Sequence, residues 1–295
     1  MAQIIDVIGS QMDLGAFRKG VDMGPSAIRH AGLVEKIERI GYQVFDKGDV
    51  VPELAKDPGD PKLRYGKEIN DANKQLFGRV KNSLENGHFP LILGGDHSIA
   101  AGSASATAEY FGSVGIIWID AHGDFNDQLI TPTGNIHGMP LSAVCGLGPE
   151  SMVEFSSGRV DPVHVAIIGA RDIDPDEKIK LNKNGVSVFS ISEIHKQGIY
   201  KVVEDAIAVA SNGTRGIHVS LDMDAIDPQD APGVGTPVAN GLTLRETFIC
   251  LELIRQSRKM LSMDVVEVNP LLDTRNMTGI LASDLILTAL GSTEY

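Results

Sequence analysis

Six side chains able to ligate a metal fall in three short segments of this chain: His97 in GGDH (94–97), Asp120, His122 and Asp124 in DAHGD (120–124), and Asp222 and Asp224 in DMD (222–224). In an extended chain, residues two apart point to the same side, so the acids and imidazoles within each segment project together. Four carboxylates brought to one place repel one another near neutral pH unless protons or cations neutralise them. Two divalent cations cancel four negative charges. Oxygen-rich ligation with some imidazole and no thiolate favours Mn²⁺, and also suits Fe²⁺, Co²⁺ or Zn²⁺. Carboxylates can bridge two metals a few ångströms apart, the arrangement that activates one shared water. A single D-x-D or D-x-H is usually a cap or a turn. Three together make a metal site. Gly94 and Gly95 fit that reading, because glycine lets the backbone crowd a site.

Each segment follows a short apolar run of strand type. Such runs recur at 4–8, 42–46, 90–93, 115–120, 163–169, 186–190, 216–222 and 263–268. Several are continuous rather than alternating, as expected of strands covered on both faces. Amphipathic helical stretches lie between them, at 25–40, 67–85, 199–210 and 244–256. Strands alternating with helices imply a parallel sheet with helices on both sides. The Pro- and Asp-rich stretch 51–61 reads as a surface loop, so the expectation is one α/β domain over residues 1–295. In an open parallel sheet, ligands bind beyond the carboxyl ends of the strands, so all three segments converge on one crevice.

Composition narrows the partners. The 295 residues are 42% hydrophobic, enough burial to exclude a disordered chain. The net charge of −13 argues against nucleic acid and anionic membranes and suits a cationic ligand. No run approaches the roughly 18 apolar residues of a membrane span. The first fifteen residues lack the basic start of a secretory leader. Cys145 and Cys250 read as buried packing thiols, which suits a reducing cytoplasm.

Longer motifs add a resemblance. GGDHSIA (94–100), DAHGDFN (120–126), GNIHGMP (134–140), SLDMDAIDP (220–228), APGVGTPV (231–238) and VVEVNP (265–270) resemble the ureohydrolase family, and within it the bacterial arginases. KGVDMGPSAIR (19–29) and RDIDPDE (171–177) fit as well, so the likeness spans nearly the whole chain in order. It implies a three-layer α/β/α sandwich around a mainly eight-stranded parallel sheet. It also implies hydrolysis of L-arginine to L-ornithine and urea, and two Mn²⁺ per subunit. One Mn²⁺ would be held by His97, Asp120, Asp124 and Asp222, the other by His122, Asp120, Asp222 and Asp224. A metal-bridging hydroxide would attack the guanidinium carbon, with Asp124 passing its proton to the leaving amine.

The resemblance also assigns residues around the cluster. His137 becomes a proton shuttle, a role suited to a pKa near neutrality. Glu267 pairs with the guanidinium, and Thr236 lies beside it. Asn126 and Thr133 meet the α-carboxylate, with Gly134 and Asn135 beside them, and His122, Gly123, Asp124 and Phe125 are implied to contact the substrate as well. Asp174 meets the α-amino group, and Glu177 acts on it through water. The other histidines, 30, 88, 164, 195 and 218, read as structural or surface residues. Arg245 and Glu246 match subunit-interface residues, so a homotrimer or homohexamer is expected.

Three positions depart from the family. Thr133 replaces the usual Ser but keeps the hydroxyl. Asp127 adds negative charge beside the carboxylate site. His195 stands where many relatives carry an Asp that pairs with a neighbouring subunit. Other readings are an agmatinase or related amidinohydrolase, a single-Zn²⁺ amide hydrolase of the deacetylase type, and a non-catalytic metal-binding protein. The intact His97, His122 and Asp224 count against the second, and His137 and Glu267 against the third.

Overall fold

The structure is a computed structural model that describes residues 4–54 and 56–292. Its strands are β1 (Ile4–Ser10), β2 (Gln43–Val50), β3 (Phe89–Leu93), β4 (Gly115–Ile119), β5 (Val165–Ala170), β6 (Ser187–Ser190), β7 (Ile217–Asp222) and β8 (Met260–Val266). Its helices are α1 (Gly24–His30), α2 (Leu33–Arg39), α3 (Gly66–Glu85), α4 (Ala100–Phe111), α5 (Pro140–Val144), α6 (Pro175–Lys183), α7 (Ile191–Gln197), α8 (Ile199–Ser211), α9 (Leu244–Ser257) and α10 (Met277–Leu290).

All eight strands join one sheet in the order β2-β1-β3-β8-β7-β4-β5-β6, and every pairing is parallel. Alternate residues of each strand feed opposite layers. On one side, Ile117, Ile168, Val219 and Met263 pack with Ile28, Val202, Leu251 and Ile286 of α1, α8, α9 and α10. On the other, Ile8 and Ile92 meet Leu76 of α3, while Ile116 and Ile167 meet Ala104 of α4 and Leu141 of α5. The result is a three-layer α/β/α sandwich. Each expected strand is present: the six inner ones are short apolar runs almost wholly buried on both faces, while the edge strands β2 and β6 are only partly covered.

Helices were less legible. The stretch 25–40 is two helices, since Gly32 takes φ 78° and breaks the ladder between α1 and α2. The chain at α4, AAGSASATAEYF, shows no amphipathic period because its first nine residues are all buried. Helix α10 is hidden for a different reason: its outward positions include Met277, Ile280, Leu281 and Leu287, so apolar residues occupy both of its faces. The expected loop at 51–61 is irregular in its described residues, and Ala55 lies outside them. Residues 1–3 also lie outside the described residues.

One close approach fixes the front of the site. A side chain at Gly95 would run into the carbonyl oxygen of Met12, whose own partner is the amide of Asp96 at 2.8 Å. Gly95→Ala should therefore cost about 1–3 kcal/mol or more in overpacking. Gly78, inside α3 with open space around it, gives the opposite case. Gly78→Ala should stabilise by about 0.5–1 kcal/mol. Denaturant unfolding of the two variants should give opposite signs; equal signs would contradict this packing.

Candidate metal centre and active site

The sequence segments meet at the carboxyl ends of β3, β8, β7 and β4, the four central strands of the sheet. After β3, Asp96 caps the tight turn His97–Ile99 by accepting from the amide of Ser98 at 3.0 Å, and it also accepts from the amide of Gly15 at 2.8 Å. That turn aims His97 inward. After β4, Asp120 Oδ1 accepts from the amide of His122 at 2.7 Å, and Oδ2 accepts from Trp118 Nε1 at 2.8 Å. After β7, Asp222 Oδ1 accepts from the amide of Asp224 at 2.7 Å. Each acid thus uses one oxygen, or one lone pair, to brace its own loop.

The remaining atoms form two overlapping clusters. His97, Asp120 and Asp222 make one, and Asp120, His122 and Asp224 make the other, so Asp120 is common to both. His97 Nδ1 lies 3.0 Å from Asp124 Oδ2, 3.1 Å from Asp222 Oδ2 and 3.2 Å from Asp120 Oδ2. It is buried and makes no hydrogen bond. His122 Nδ1 lies 3.2 Å from Asp224 Oδ2 and 3.3 Å from Asp120 Oδ1. An orphaned imidazole nitrogen facing three carboxylates is the donor set of a cation site.

The ionisation balance agrees. Burial, then the charge of Asp120, pushes Asp124 up to about 6. Burial, then Asp224 and Asp120, holds Asp222 well above the usual carboxylate range. Burial lowers His97 and His122, but their carboxylate partners outweigh it and raise both. Burial would likewise raise Asp120, yet His122 and His97 hold it well below its ordinary value. Acids packed this closely need either shared protons or divalent cations to offset their charge.

Two adjoining cavities open over the cluster. One, about 240 Å³, is lined by His122, Asp124, Asn126, Thr133, Asn135, His137, Asp174, Glu177, Asp222, Asp224 and Thr236, among others. The other, about 340 Å³, adds Glu267, Phe17 and Arg18. Glu267 Oε1 accepts from the amide of His97 at 2.9 Å and lies 3.2 Å from His137 Nδ1. Its Oε2 is buried with no partner, an acceptor kept free for a donor. Glu267 and Asp124 take φ of 65° and 47°, a left-handed backbone that costs non-glycine residues roughly 1–3 kcal/mol. Thr236 Oγ1 donates to Asp224 Oδ2 at 2.8 Å, and Asn126 Nδ2 donates to Asp174 Oδ2 at 3.1 Å.

Some expected contacts stand elsewhere. Gly123, Phe125 and Gly134 line neither cavity. A side chain at Gly123 would strike Glu177, and one at Gly134 would strike Pro61 O, so both glycines let the wall close up. Phe125 is fully buried beneath Lys180, whose Nζ lies 5.3 Å from the ring centroid. Asp127 adds no free charge: Lys180 Nζ pairs with it at 2.6 Å, and the amides of Leu129 and Ile130 cap it. Glu177 is largely buried yet lines the cavity, and its Oε1 accepts from the amide of Phe125 at 2.7 Å, so it also buttresses the loop. His137 is raised to about 9, because the Glu267 carboxylate outweighs the opposing effect of burial, and is not near neutrality. Glu246 is engaged in capping α9 through Thr243, while Arg245 and His195 are exposed.

Two neighbours of the cluster were not anticipated. Trp118 stacks on His97, with ring centroids 4.0 Å apart and planes 6° apart. Its two-residue offset from Asp120 on one strand was the available signal. Asp172 lines both cavities at the rim.

A three-layer fold with two joined Asp/His cation sites at the carboxyl ends of its central strands defines a metal-dependent hydrolase of the α/β class. The chain belongs to the arginase family, whose model matches residues 3–291. It is 45% identical to a Staphylococcus aureus arginase over 98% of this chain and 97% of that one. Among solved structures, it superposes on the Bacillus caldovelox arginase with a TM-score of 0.95 at 42% identity, covering 100% of both chains. The Bacillus cereus arginase gives 0.94 at 45%, covering 99% of this chain and 100% of that one.

Because Asp120 is common to both clusters, Asp120→Ala should strip both cations after dialysis, whereas His97→Ala should weaken one. Metal analysis decides this, and equal metal content in the two variants would refute the shared role. Glu177 gives a pH effect. Burial, followed in part by the charge of Asp124, raises its carboxyl from 4.5 to about 8. Between those values the folded chain holds a proton that the unfolded chain has released. The contribution is full below about 4.5 and is lost as pH rises through about 8. The melting-temperature difference between the native protein and Glu177→Gln should therefore shrink from pH 5 to pH 9. A constant difference would show that Glu177 is ionised throughout.

Proposed function

We propose that this chain hydrolyses L-arginine to L-ornithine and urea, holding two Mn²⁺ per subunit in a single catalytic domain over residues 1–295. The observation that carries the reading is the free Glu267 Oε2 over the cluster, with Asn126, Thr133 and Asp174 on the wall of the adjoining cavity. One end suits a guanidinium and the other an α-amino acid. The full-length likeness to bacterial arginases at 42–45% identity supports it.

Divalent cations among these six ligands supply an activated water and positive charge near the reacting carbon. His97, Asp120, Asp124 and Asp222 would hold one; His122, Asp120, Asp222 and Asp224 would hold the other. Glu267 Oε2 accepts from the guanidinium N–H groups and fixes the carbon against the cluster. Asp124, on the wall of the cavity over the cluster, takes the proton of the attacking water and passes it to the amine as the C–N bond breaks. His137, protonated through its contact with Glu267, supplies a proton at its other ring nitrogen to the cavity. Asn126 and Thr133 meet the α-carboxylate and Asp174 the α-amino group, with Asn135 lining the same wall and Thr236 holding Asp224 in place. Gly123, Phe125 and Gly134 shape that wall from behind.

The assembly proposed is a trimer or hexamer, supported by the exposed Arg245 in the first turn of α9. A reducing cytoplasm is the proposed location, supported by the two buried cysteines, which stay free thiols. Among the described residues no helix is long and apolar enough to cross a membrane.

Arginine and agmatine share the guanidinium end, so only the α-carbon contacts separate them. A charge-assisted hydrogen bond contributes about 1.5–3 kcal/mol, so Asp174→Ala should cost arginine roughly 10–150-fold in kcat/KM. Metal content should stay intact and agmatine turnover should change much less. Equal losses on both substrates would remove Asp174 from the α-amino group, and a native preference for agmatine would overturn the arginine reading.

A further inference from the structure

A wholly buried polar seam lies behind the metal cluster. On β7, Ile217, Val219 and Leu221 face one helical layer, which leaves His218 and Ser220 on the opposite face with Asp222. On β8, Ser262 and Asp264 stand beside them in register, His218 with Ser262 and Ser220 with Asp264. Ser103 and Thr107 of α4 close the seam. All six of these seam residues, His218, Ser220, Ser262, Asp264, Ser103 and Thr107, are fully buried. Burying an imidazole, a carboxylate and four hydroxyls costs free energy that an apolar core would not, so the seam calls for a role beyond stability.

Its connectivity is directional. Asp264 Oδ2 accepts from Ser103 Oγ at 2.6 Å and meets His218 Nε2 at 3.0 Å. Asp264 Oδ1 accepts from Ser220 Oγ. Ser220 Oγ lies 2.7 Å from His97 Nε2. A serine has one hydrogen, and an ionised carboxylate only accepts, so the Ser220 proton goes to Asp264. Ser220 must then accept from His97, which places the ring proton on Nε2. In the neutral ring, the lone pair is left on Nδ1, the nitrogen that faces Asp120, Asp124 and Asp222.

We propose that Asp264, acting through Ser220, is a positioning residue for the cation at His97, fixing the orientation and tautomer of that ring. The relay never touches the cavity, as neither residue lines it. It rests on the reading that this cluster holds divalent cations. Outer partners of a ligating histidine typically contribute 10–100-fold in metal affinity.

The test measures Mn²⁺ binding to the purified full-length protein by equilibrium dialysis, with circular dichroism to follow the fold. Ser220→Ala should stay folded and weaken one of two Mn²⁺ about 10–100-fold, while the other binds as in the native protein. Ser220→Thr, which keeps the hydroxyl, should restore affinity. Ser262→Ala, at the far end of the same seam, should leave both affinities unchanged. If Ser220→Ala binds both cations like the native protein, or if Ser262→Ala loses as much, the relay is overturned. Should Ser220→Ala fail to fold, Asp264→Asn is read in the same way, and native affinity there overturns the proposal. A native protein that binds no Mn²⁺ at all would instead overturn the metal reading itself.

Discussion

Four carboxylates share one buried pocket, and their mutual repulsion is the constraint around which the structure is arranged. Asp120, Asp124, Asp222 and Asp224 have little exposed surface, so bulk water screens them weakly. Two imidazoles in the pocket can moderate the charge only by holding protons. The neighbouring oxygens are already tied to backbone amides and to Trp118, so the acids cannot turn away from one another. A set of acids held this rigidly makes sense only as a receptacle for positive charge.

The sheet provides the rigidity. The four strands that end at the site are neighbours, buried on both faces, and their ends cannot splay without breaking the core. Local strain is carried by this frame. Asp124 and Glu267 hold left-handed conformations beside the cluster, and each is braced by further contacts: Asp124 O accepts from the amide of Leu141, and the Glu267 amide donates to Gly95 O. Strain of this kind persists where the surroundings over-determine the backbone.

Much of this was readable in the sequence. The eight strands declared themselves as short runs of strand type, and the three Asp/His segments that follow β3, β4 and β7 could be expected to meet at one end of the sheet. Helices α4 and α10 did not: the first nine residues of α4 are enclosed, and α10 carries apolar residues such as Met277 and Ile280 on its exposed side as well, so neither shows the polar face that marks a helix. The chemistry of the walls was also hidden. Asp127 reads as a free charge until Lys180, 53 residues away, is seen paired with it. That Glu177 accepts from the amide of Phe125, 52 residues away, was not visible either. The ordinary pKa assumed for His137 failed because Glu267, 130 residues away, lies against it. Pairings of this range are set by tertiary packing and leave no local pattern.

Helix α6 and its cap bind to the site loop at three successive turns. Asp174 meets Asn126, Glu177 meets the amide of Phe125, and Lys180 meets Asp127. Spaced three residues apart, the three side chains share one helical stripe and clip consecutive residues of the loop. The loop and the helix therefore move as one block. The gap between that block and the floor of the pocket is then a fixed calliper. Under the proposed contacts of Glu267 and Asp174, a guanidino acid one methylene shorter or longer would have to release one jaw to grip the other, so chain length would be measured by the protein rather than accommodated by it.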